Sequence, residues 1–398
     1  MKIIIIGGGA AGFFAAINIA EKQPDYEITI LEKTSKLLSK VKISGGGRCN
    51  VTNACFYPSQ LVKNYPRGGK KLQKIFQKFG PADTVKWFAR KGVKLKTEAD
   101  NRIFPVTDNS QTIVDCFIQE SKSLGIKIVL SQEVNFFSKN NEHWHITTKE
   151  KDYIADKLII ATGSLPRMWQ HLKKISLQIE EPVPSLFTFK INDERIKNLP
   201  GISFQNVQSR IAGTKIETEG PLLITHWGMS GPAVLKLSAF AARELAAFNY
   251  RFDLLINFLP DKSQEEIRRY FQEYKNINLK QQISTNAHFA IPKRYWQQLC
   301  IHLQIDHMKW DDMGKKQINQ LIEQLSNASF AVQGKSTFKE EFVTCGGVNL
   351  SEINMNTMQS KKFPNLYFAG EVLDVDAITG GFNFQAAWST AYIIAENI

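Results

Sequence analysis

Four consecutive isoleucines, Ile3 to Ile6, open the hydrophobic pattern of the chain and run straight into GGGAAG and an apolar stretch. A short continuous apolar block bounded by glycine predicts a buried strand, and AAGFFAAINIAE predicts a helix beginning near Ala10. YEITILEK then predicts a second strand, ending at Glu32. KLIIATG at 157–163 and LYFAGE at 366–371 repeat the pattern of a buried strand closed by small residues, and a glycine turn after them feeds a C-terminal amphipathic helix. The middle of the chain has a different texture. From 185 to 260 the alternating runs SLFTFKI, SFQNVQSRIAG, GPLLITHWG and YRFDLLINFL predict antiparallel strands of a small barrel or sandwich. Ser263 with Glu266 then forms a capping-box pattern, and Ile267, Tyr270 and Phe271 give helical apolar spacing. Helical character continues through YWQQLCIHL and KKQINQLIEQL to about 327, and FAVQGKSTF predicts a returning strand.

The first strand and helix carry candidate chemistry. Gly7, Gly9 and Gly12 stand at GxGxxG spacing. The first permits a tight turn, the second lets a pyrophosphate approach the backbone, and the third lets the helix pack closely on the strand. The helix N-terminus offers N–H groups and a positive dipole end to phosphate. Glu32, at the end of the next strand, is placed to accept hydrogen bonds from a ribose diol. The two further glycine-ended strands, and a last helix that starts after Gly380 and Gly381, extend the binding pattern over 300 residues and point to FAD rather than NAD. SGGGRCN, at 44–50, follows Glu32 closely enough to line the flavin, with its backbone against the cofactor and Arg48 facing negative charge.

The fold expected is therefore α/β. A Rossmann-like FAD-binding domain (1–184 and 340–398) is interrupted by a β-rich, barrel-like domain (185–260 and 328–339) and a small helical domain (261–327). With 398 residues, 43% of them hydrophobic and 22% charged, the chain has room for two or three cores and is not of disordered composition. No apolar run approaches the roughly 20 residues that span a bilayer, so a cytoplasmic protein with no membrane partner is expected. Five cysteines without CxxC spacing suggest neither a disulfide framework nor a metal site. The net charge of +12 allows an anionic partner or a merely lysine-rich surface. Lys70, Lys71, Lys74 and Lys78 fall on one side of a predicted helix, either solvated or anion-binding, with Leu72, Ile75 and Phe79 on the other.

GGGAAG, SGGGRCNVTN, ATGSLPR, THWGMSGPA, TCGGV and GEVLDVDAITGGFNFQAAW, in this order, resemble the HI0933-like flavoproteins, the BaiN/RdsA family of NAD(P)/FAD-dependent oxidoreductases. Three positions depart from the family pattern: Ala377 and Phe382 stand where Gly and Tyr are expected, and Cys345 where Ala is more usual. The resemblance implies that FAD is held by Ala10, Ala11, Lys33, Gly46, Gly47, Arg48, Cys49, Asn50, Val134, Ala161, Thr162, Gly163, Gly370, Glu371, Asp374, Gly380, Gly381, Phe382, Asn383 and Phe384, besides Gly7, Gly9, Gly12 and Glu32. It also implies reduction of carbon–carbon double bonds, in bile-acid intermediates or in a uridine of ribosomal RNA.

Arg48, Cys49 and His226 are the catalytic candidates. Arg48 would steady the anionic reduced flavin, Cys49 is a redox or acid group or simple packing, and His226 is a proton donor or a structural histidine. The substrate is expected between the cofactor domain and the insertion. The chain has no second GxGxxG, so NAD(P)H is expected to dock only transiently as the electron donor. For the acceptor, an RNA uridine, a small-molecule enone and a flavin-bearing protein without turnover all stay open. Trp169, Trp227 and Arg167 are the candidates for stacking exposed bases. Replacing Glu32 by Lys should repel the phosphates and remove the ribose contact. Purified E32K protein should therefore carry much less FAD by absorbance, and an unchanged flavin content would refute the assignment of Glu32.

Overall fold

The computed structural model describes residues 1–336 and 343–398, so the expected ends of the barrel (337–339) and the expected restart of the cofactor domain (340–342) lie outside the described residues. The chain forms two compact units, Met1–Val183 with Val343–Ile398, and Pro184–Phe342.

The first unit is built on strand β1 (Lys2–Ile6). Its isoleucines are buried because parallel neighbours flank it on both sides: strand β2 (Glu27–Leu31) on one and Lys157–Ile160 on the other. Leu366–Phe368 pairs parallel with the 157–160 strand, and Lys127–Val129 pairs parallel with β2. Two short antiparallel strands, Ile353–Asn354 and Gln359–Ser360, complete a seven-stranded sheet among the described residues. The parallel strands end at one edge, and in such sheets ligands bind outside the carboxyl ends where strand order reverses, which here is at β1. Helix α1 (Ala10–Lys22) and the C-terminal helix Phe382–Asn397 start at that edge, as expected, and pack against each other. Both are buried nearly all round, which corrects the amphipathic reading of the last helix: it is covered on every side and buries Gln385, Ser389 and Thr390 along with its apolar residues.

The second unit contains a closed barrel of six strands, ordered Phe189–Ile191, Gly228–Ser230, Glu217–Thr225, Ser203–Ile211, Phe252–Asn257 and Ala328–Lys335. All of its pairings are antiparallel. Two helices within the stretch expected to be strand, Pro232–Phe240 and Ala242–Ala247, correct the sequence reading. Gly231 takes φ +95° and Pro232 fixes the first helical turn, and the Ala- and Leu-rich run that follows packs onto the barrel strands 203–211 and 217–225.

The capping box after Pro260 forms as predicted: the Ser263 hydroxyl accepts from the Glu266 N–H at 3.2 Å, and the Glu266 carboxylate accepts from the Ser263 N–H at 2.7 Å. It opens the helix Gln264–Ile277, followed by Lys293–His302 and Lys315–Ser326. These helices do not form a core of their own. Phe271, Trp296, Trp310 and Leu321 belong to the same buried cluster as Phe204, Leu254 and Phe330 of the barrel. Buried Arg195 adds a polar tie, donating to Asp193 and to Gln324 with its guanidinium 3.8 Å from the centre of the Phe330 ring.

A side chain at Gly12 would overlap the carbonyl oxygen of Gly7, so the first helix sits on the strand only because this residue has none. Gly12→Ala should destabilise the protein by on the order of 2–3 kcal/mol in urea unfolding. Gly9→Ala, whose added methyl group meets nothing within 4 Å, should cost less than about 1 kcal/mol.

Candidate cofactor site and its surroundings

The glycines at the carboxyl edge of the sheet fall into two sets. In one, a Cβ has no room: at Gly7 it would strike the Ala161 carbonyl, and at Gly381 the Thr52 carbonyl. In the other, Gly9, Gly46 and Gly47 have nothing within 4 Å on the side where a Cβ would stand. The jammed glycines bring chain segments together, and the open ones leave bare backbone beside the strand ends. That combination fits a long cofactor lying along the edge, with backbone rather than side chains against it.

Glu32 closes one end of this edge. Its Oε2 accepts from the Gly8 N–H at 2.8 Å, and Oε1 accepts from the Thr34 N–H and hydroxyl, each at 2.9 Å. The carboxylate is thus held against the glycine turn, where a ribose next to the pyrophosphate would lie. Lys33 is exposed beside it. The Gln132 N–H donates to the Glu32 carbonyl, and this contact leads the chain to Val134, buried at the start of a small sheet formed by Val134–Asn140, His143–Thr148 and Asp152–Ala155. No side chain caps α1, whose first turn contains no acidic residue, so its N–H end is left for an anion.

The three-glycine stretch is more contorted than a flat loop. Helix α2 (Ser39–Gly47) breaks at Ser44, and Gly45, Gly46 and Gly47 all take left-handed φ of 56°, 69° and 82°. Cys49 follows at φ +61° and is fully buried. Burial pushes its thiol pKa up to about 12, which keeps it protonated at neutral pH and removes it as a thiolate. Arg48 does not face an unbalanced site. It donates to Glu98 at 2.6 Å, lies 3.5 Å from Asp108, and stacks 4.0 Å from the centre of the Phe104 ring. The Glu98 hydrogen bond leads the effects that raise its pKa. The Glu98 and Asp108 pairing withdraws Arg48 as an unbalanced cation for the reduced flavin, and for Cys49 burial favours the packing reading over the chemical one.

Asn50, Thr52 and Asn53 fasten this segment to the start of the C-terminal helix. Asn50, with its amide oriented to satisfy its neighbours, accepts from the Gly381 N–H at 2.9 Å, and Asn53 donates to the Gly380 carbonyl at 3.0 Å. Thr52 donates to Gln385 at 2.5 Å, and the Tyr65 hydroxyl donates to the Phe382 carbonyl at 2.6 Å. Asn383 exchanges two 3.0 Å hydrogen bonds with the backbone of Ala377, closing the turn before the helix. Phe384 stacks on Trp388 with ring centroids 5.5 Å apart. This helix also lacks a side-chain cap and has no acid in its first turn.

The remaining expected residues lie on the same edge. Ala161, Thr162 and Gly163 follow the 157–160 strand, and Gly370 lies where a Cβ would come 3.0 Å from that of Ala11. Glu371 pairs with Lys40 and accepts from the Thr344 N–H at 3.3 Å, and the Asp374 N–H donates to the Val348 carbonyl at 3.0 Å. The sequence reading missed two pairs here: Lys40 with Glu371, and Arg67 with fully buried Asp376. The members of each pair are more than 300 positions apart, a separation that leaves no local pattern.

His226 is not brought to this edge by any described contact. It is exposed in the turn between Glu217–Thr225 and Gly228–Ser230, in the second unit. Trp169 is not a stacking platform, because it is buried and donates its N–H to the Val372 carbonyl at 2.9 Å. Trp227 is 54% exposed. Arg167 pairs with Glu133 at 2.9 Å.

A family model described as the HI0933-like protein Rossmann domain matches residues 1–397. The chain belongs to this family of FAD-dependent oxidoreductases. It is 28% identical over 407 residues to a ribosomal RNA dihydrouridine synthase of Escherichia coli, an alignment that covers 99% of this chain and 97% of that one. To the protein of the same name from Haemophilus influenzae it is 29% identical, covering 99% and 98%. A 3-dehydro-bile acid delta(4,6)-reductase of Clostridium scindens is 25% identical, covering 98% and 97%. Among solved structures, a 3-ketosteroid-delta4-(5alpha)-dehydrogenase from Rhodococcus jostii superposes with a TM-score of 0.52 at 11% identity, over 99% of this chain and 97% of that one. A flavocytochrome c3 fumarate reductase gives 0.51 at 15%, over 100% and 77%. These two likenesses support the fold alone. Among the described residues, no helix is long and apolar enough to cross a membrane.

The buried thiols of this HI0933-like protein set an alkaline limit on its stability. Burial pushes Cys49, Cys116 and Cys300 each up to about 12 from an ordinary 9.0. Between about pH 9 and 12 the unfolded chain therefore loses protons that the folded chain keeps, and stability present below pH 9 falls as pH rises. Urea titrations across this range should show a shallower fall for Cys49→Ala than for the unaltered protein, and identical slopes would contradict the burial of this thiol.

Proposed function

We propose that this protein reduces the 5,6 double bond of a uridine in ribosomal RNA, with FAD as its redox group and NAD(P)H as the electron donor, in the cytoplasm. Similarity of 28% and 29% to two ribosomal RNA dihydrouridine synthases, over nearly the whole of each chain, carries this reading. The net charge of +12 favours RNA over a neutral enone, which needs only a local apolar pocket.

In this reading, bound FAD would supply the hydride. The chain's own residues bind and orient. Gly9 and the uncapped start of α1 would take the pyrophosphate, and Glu32 would take the ribose hydroxyls. Gly46 and Gly47 present bare backbone, and the start of the C-terminal helix offers a second positive dipole end. The overall change adds a hydride to one carbon of the double bond and a proton to the other, while NAD(P)H is oxidised. Cys49 is too deeply buried to give that proton.

Cells lacking the protein should lose a dihydrouridine from their large-subunit ribosomal RNA, and the wild-type gene should restore it. Anaerobic NADH or NADPH should bleach the bound flavin, and large-subunit RNA from cells lacking the protein should reoxidise it. An unchanged RNA modification profile, with flavin reoxidised by a steroid-like enone, would transfer the assignment to a small-molecule reductase resembling the Clostridium scindens relative.

A further inference from the structure

The positive charge of this protein is concentrated in one stretch. Residues 33–82 contain eleven Lys or Arg and no Asp or Glu, so the other 348 residues carry 39 cations against 38 acids and are nearly neutral. Within the stretch, Lys40, Arg48 and Arg67 are paired with carboxylates of the first unit. The other eight are exposed lysines that make no ion pair with any described residue.

Five of those lysines lie together. Lys70, Lys71, Lys74 and Lys78 project from the helix Gly69–Lys78, which contains no acidic residue and buries Leu72, Ile75 and Phe76 on its other side. Lys63 lies in the turn Val62–Asn64, which packs against that helix. The same segment leaves two aromatic rings in solvent: Phe56 is 49% exposed, and Tyr57, just before the short helix Pro58–Leu61 that also packs on the lysine helix, is 76% exposed. An exposed aromatic ring costs apolar hydration that its solvated hydroxyl only partly offsets, and it presents a flat face to solvent. A row of unpaired ammonium groups beside an exposed ring matches a single-stranded nucleic acid, whose phosphates take the cations and whose bases stack on the ring. A single strand uses both features at once, the phosphates pairing with the ammonium groups and a base stacking on the ring, so RNA is the occupant this surface favours.

We infer that the surface formed by Tyr57, Lys63 and the lysines of the 69–78 helix is the docking face for the RNA substrate. This rests on the reading of the protein as an RNA uridine reductase. It moves base stacking away from buried Trp169 to Tyr57, in the same acid-free stretch that supplies Gly46 and Gly47 to the cofactor edge.

The test uses the full-length, FAD-loaded protein, a single-stranded uridine-rich RNA oligonucleotide and large-subunit RNA from cells lacking the protein. Replacing Lys70, Lys71, Lys74 and Lys78 together by Gln should weaken oligonucleotide binding at least about tenfold near 100 mM salt. The slope of log affinity against log salt should flatten by about 3, since each lost phosphate contact on a single strand contributes about 0.7. Tyr57→Ala should weaken binding about tenfold and Tyr57→Phe should restore most of it. FAD content and anaerobic bleaching by NADH or NADPH should not change in any of these variants. If the unaltered protein binds RNA with a steep salt dependence and the four-lysine variant binds identically, the docking face is refuted while the enzymatic reading stands. If the unaltered protein neither binds the oligonucleotide nor forms dihydrouridine in the large-subunit RNA, both fall. Loss of binding to phosphatidylserine vesicles in the four-lysine variant, with RNA binding intact, would reassign the face to a membrane surface.

Discussion

The arrangement of the cofactor edge depends on one close approach, that of the Thr52 carbonyl to Gly381. Any side chain at 381 would separate the 50–53 segment from the first turn of the C-terminal helix. Bringing together residues more than 300 positions apart carries a loop-closure cost that rises only slowly with length, so a modest set of well-made contacts can hold it. The contacts here are buried and polar. Thr52 and Thr84 both donate to Gln385, Gln385 donates to Ser389, and Ser389 donates to the carbonyl of Phe79. A satisfied buried chain of this kind rigidifies, whereas removing one member leaves the next unpaired at a cost of about 1–3 kcal/mol. The same helix donates the Trp388 N–H to the Val51 carbonyl at 2.9 Å, so the segment is fixed along two turns.

What the sequence made legible was local. The strand, glycine turn, helix and following strand at the N-terminus obey short-range rules, and the structure keeps them because Gly7 and Gly12 have no room for a side chain. The Ser263 capping box was legible for the same reason: three residues suffice to make it. The helices at 232–247 were hidden because an Ala- and Leu-rich run without a polar face gives no amphipathic signal. Trp169 shows the opposite limit. Beside Arg167 and Pro166 it reads as a surface residue, yet its burial follows from a carbonyl at 372 that no local pattern announces.

SGGGRCN was half legible. Three glycines in a row pointed to backbone exposed toward a ligand, and Gly46 and Gly47 are open on that side. Arg48 was assigned chemistry that its surroundings withdraw, and Cys49 takes the packing role that was one of its two readings. Glu98 and Asp108 neutralise the guanidinium from a neighbouring strand and turn, and the left-handed backbone at Cys49 turns its thiol into the interior. Residue type states what a side chain is capable of, and only partners and burial decide which of those capabilities it keeps.

That distinction separates the cations of the acid-free stretch into two groups with different physical effects. Lys40, Arg48 and Arg67 each meet a carboxylate, and the Arg67 pair with buried Asp376 is largely shielded from solvent. Such pairs fix geometry and add little net field, because the two charges largely cancel at a distance. The exposed lysines have no carboxylate to cancel them, so their field extends for about a Debye length, roughly 8–10 Å at physiological salt. Attraction of a polyanion therefore comes almost wholly from the unpaired group, while the paired group holds the loops around the cofactor edge in place. In the proposed reading, placing both in one acid-free segment would let the chain attract a strand of negative charge without carboxylates beside it to repel that strand.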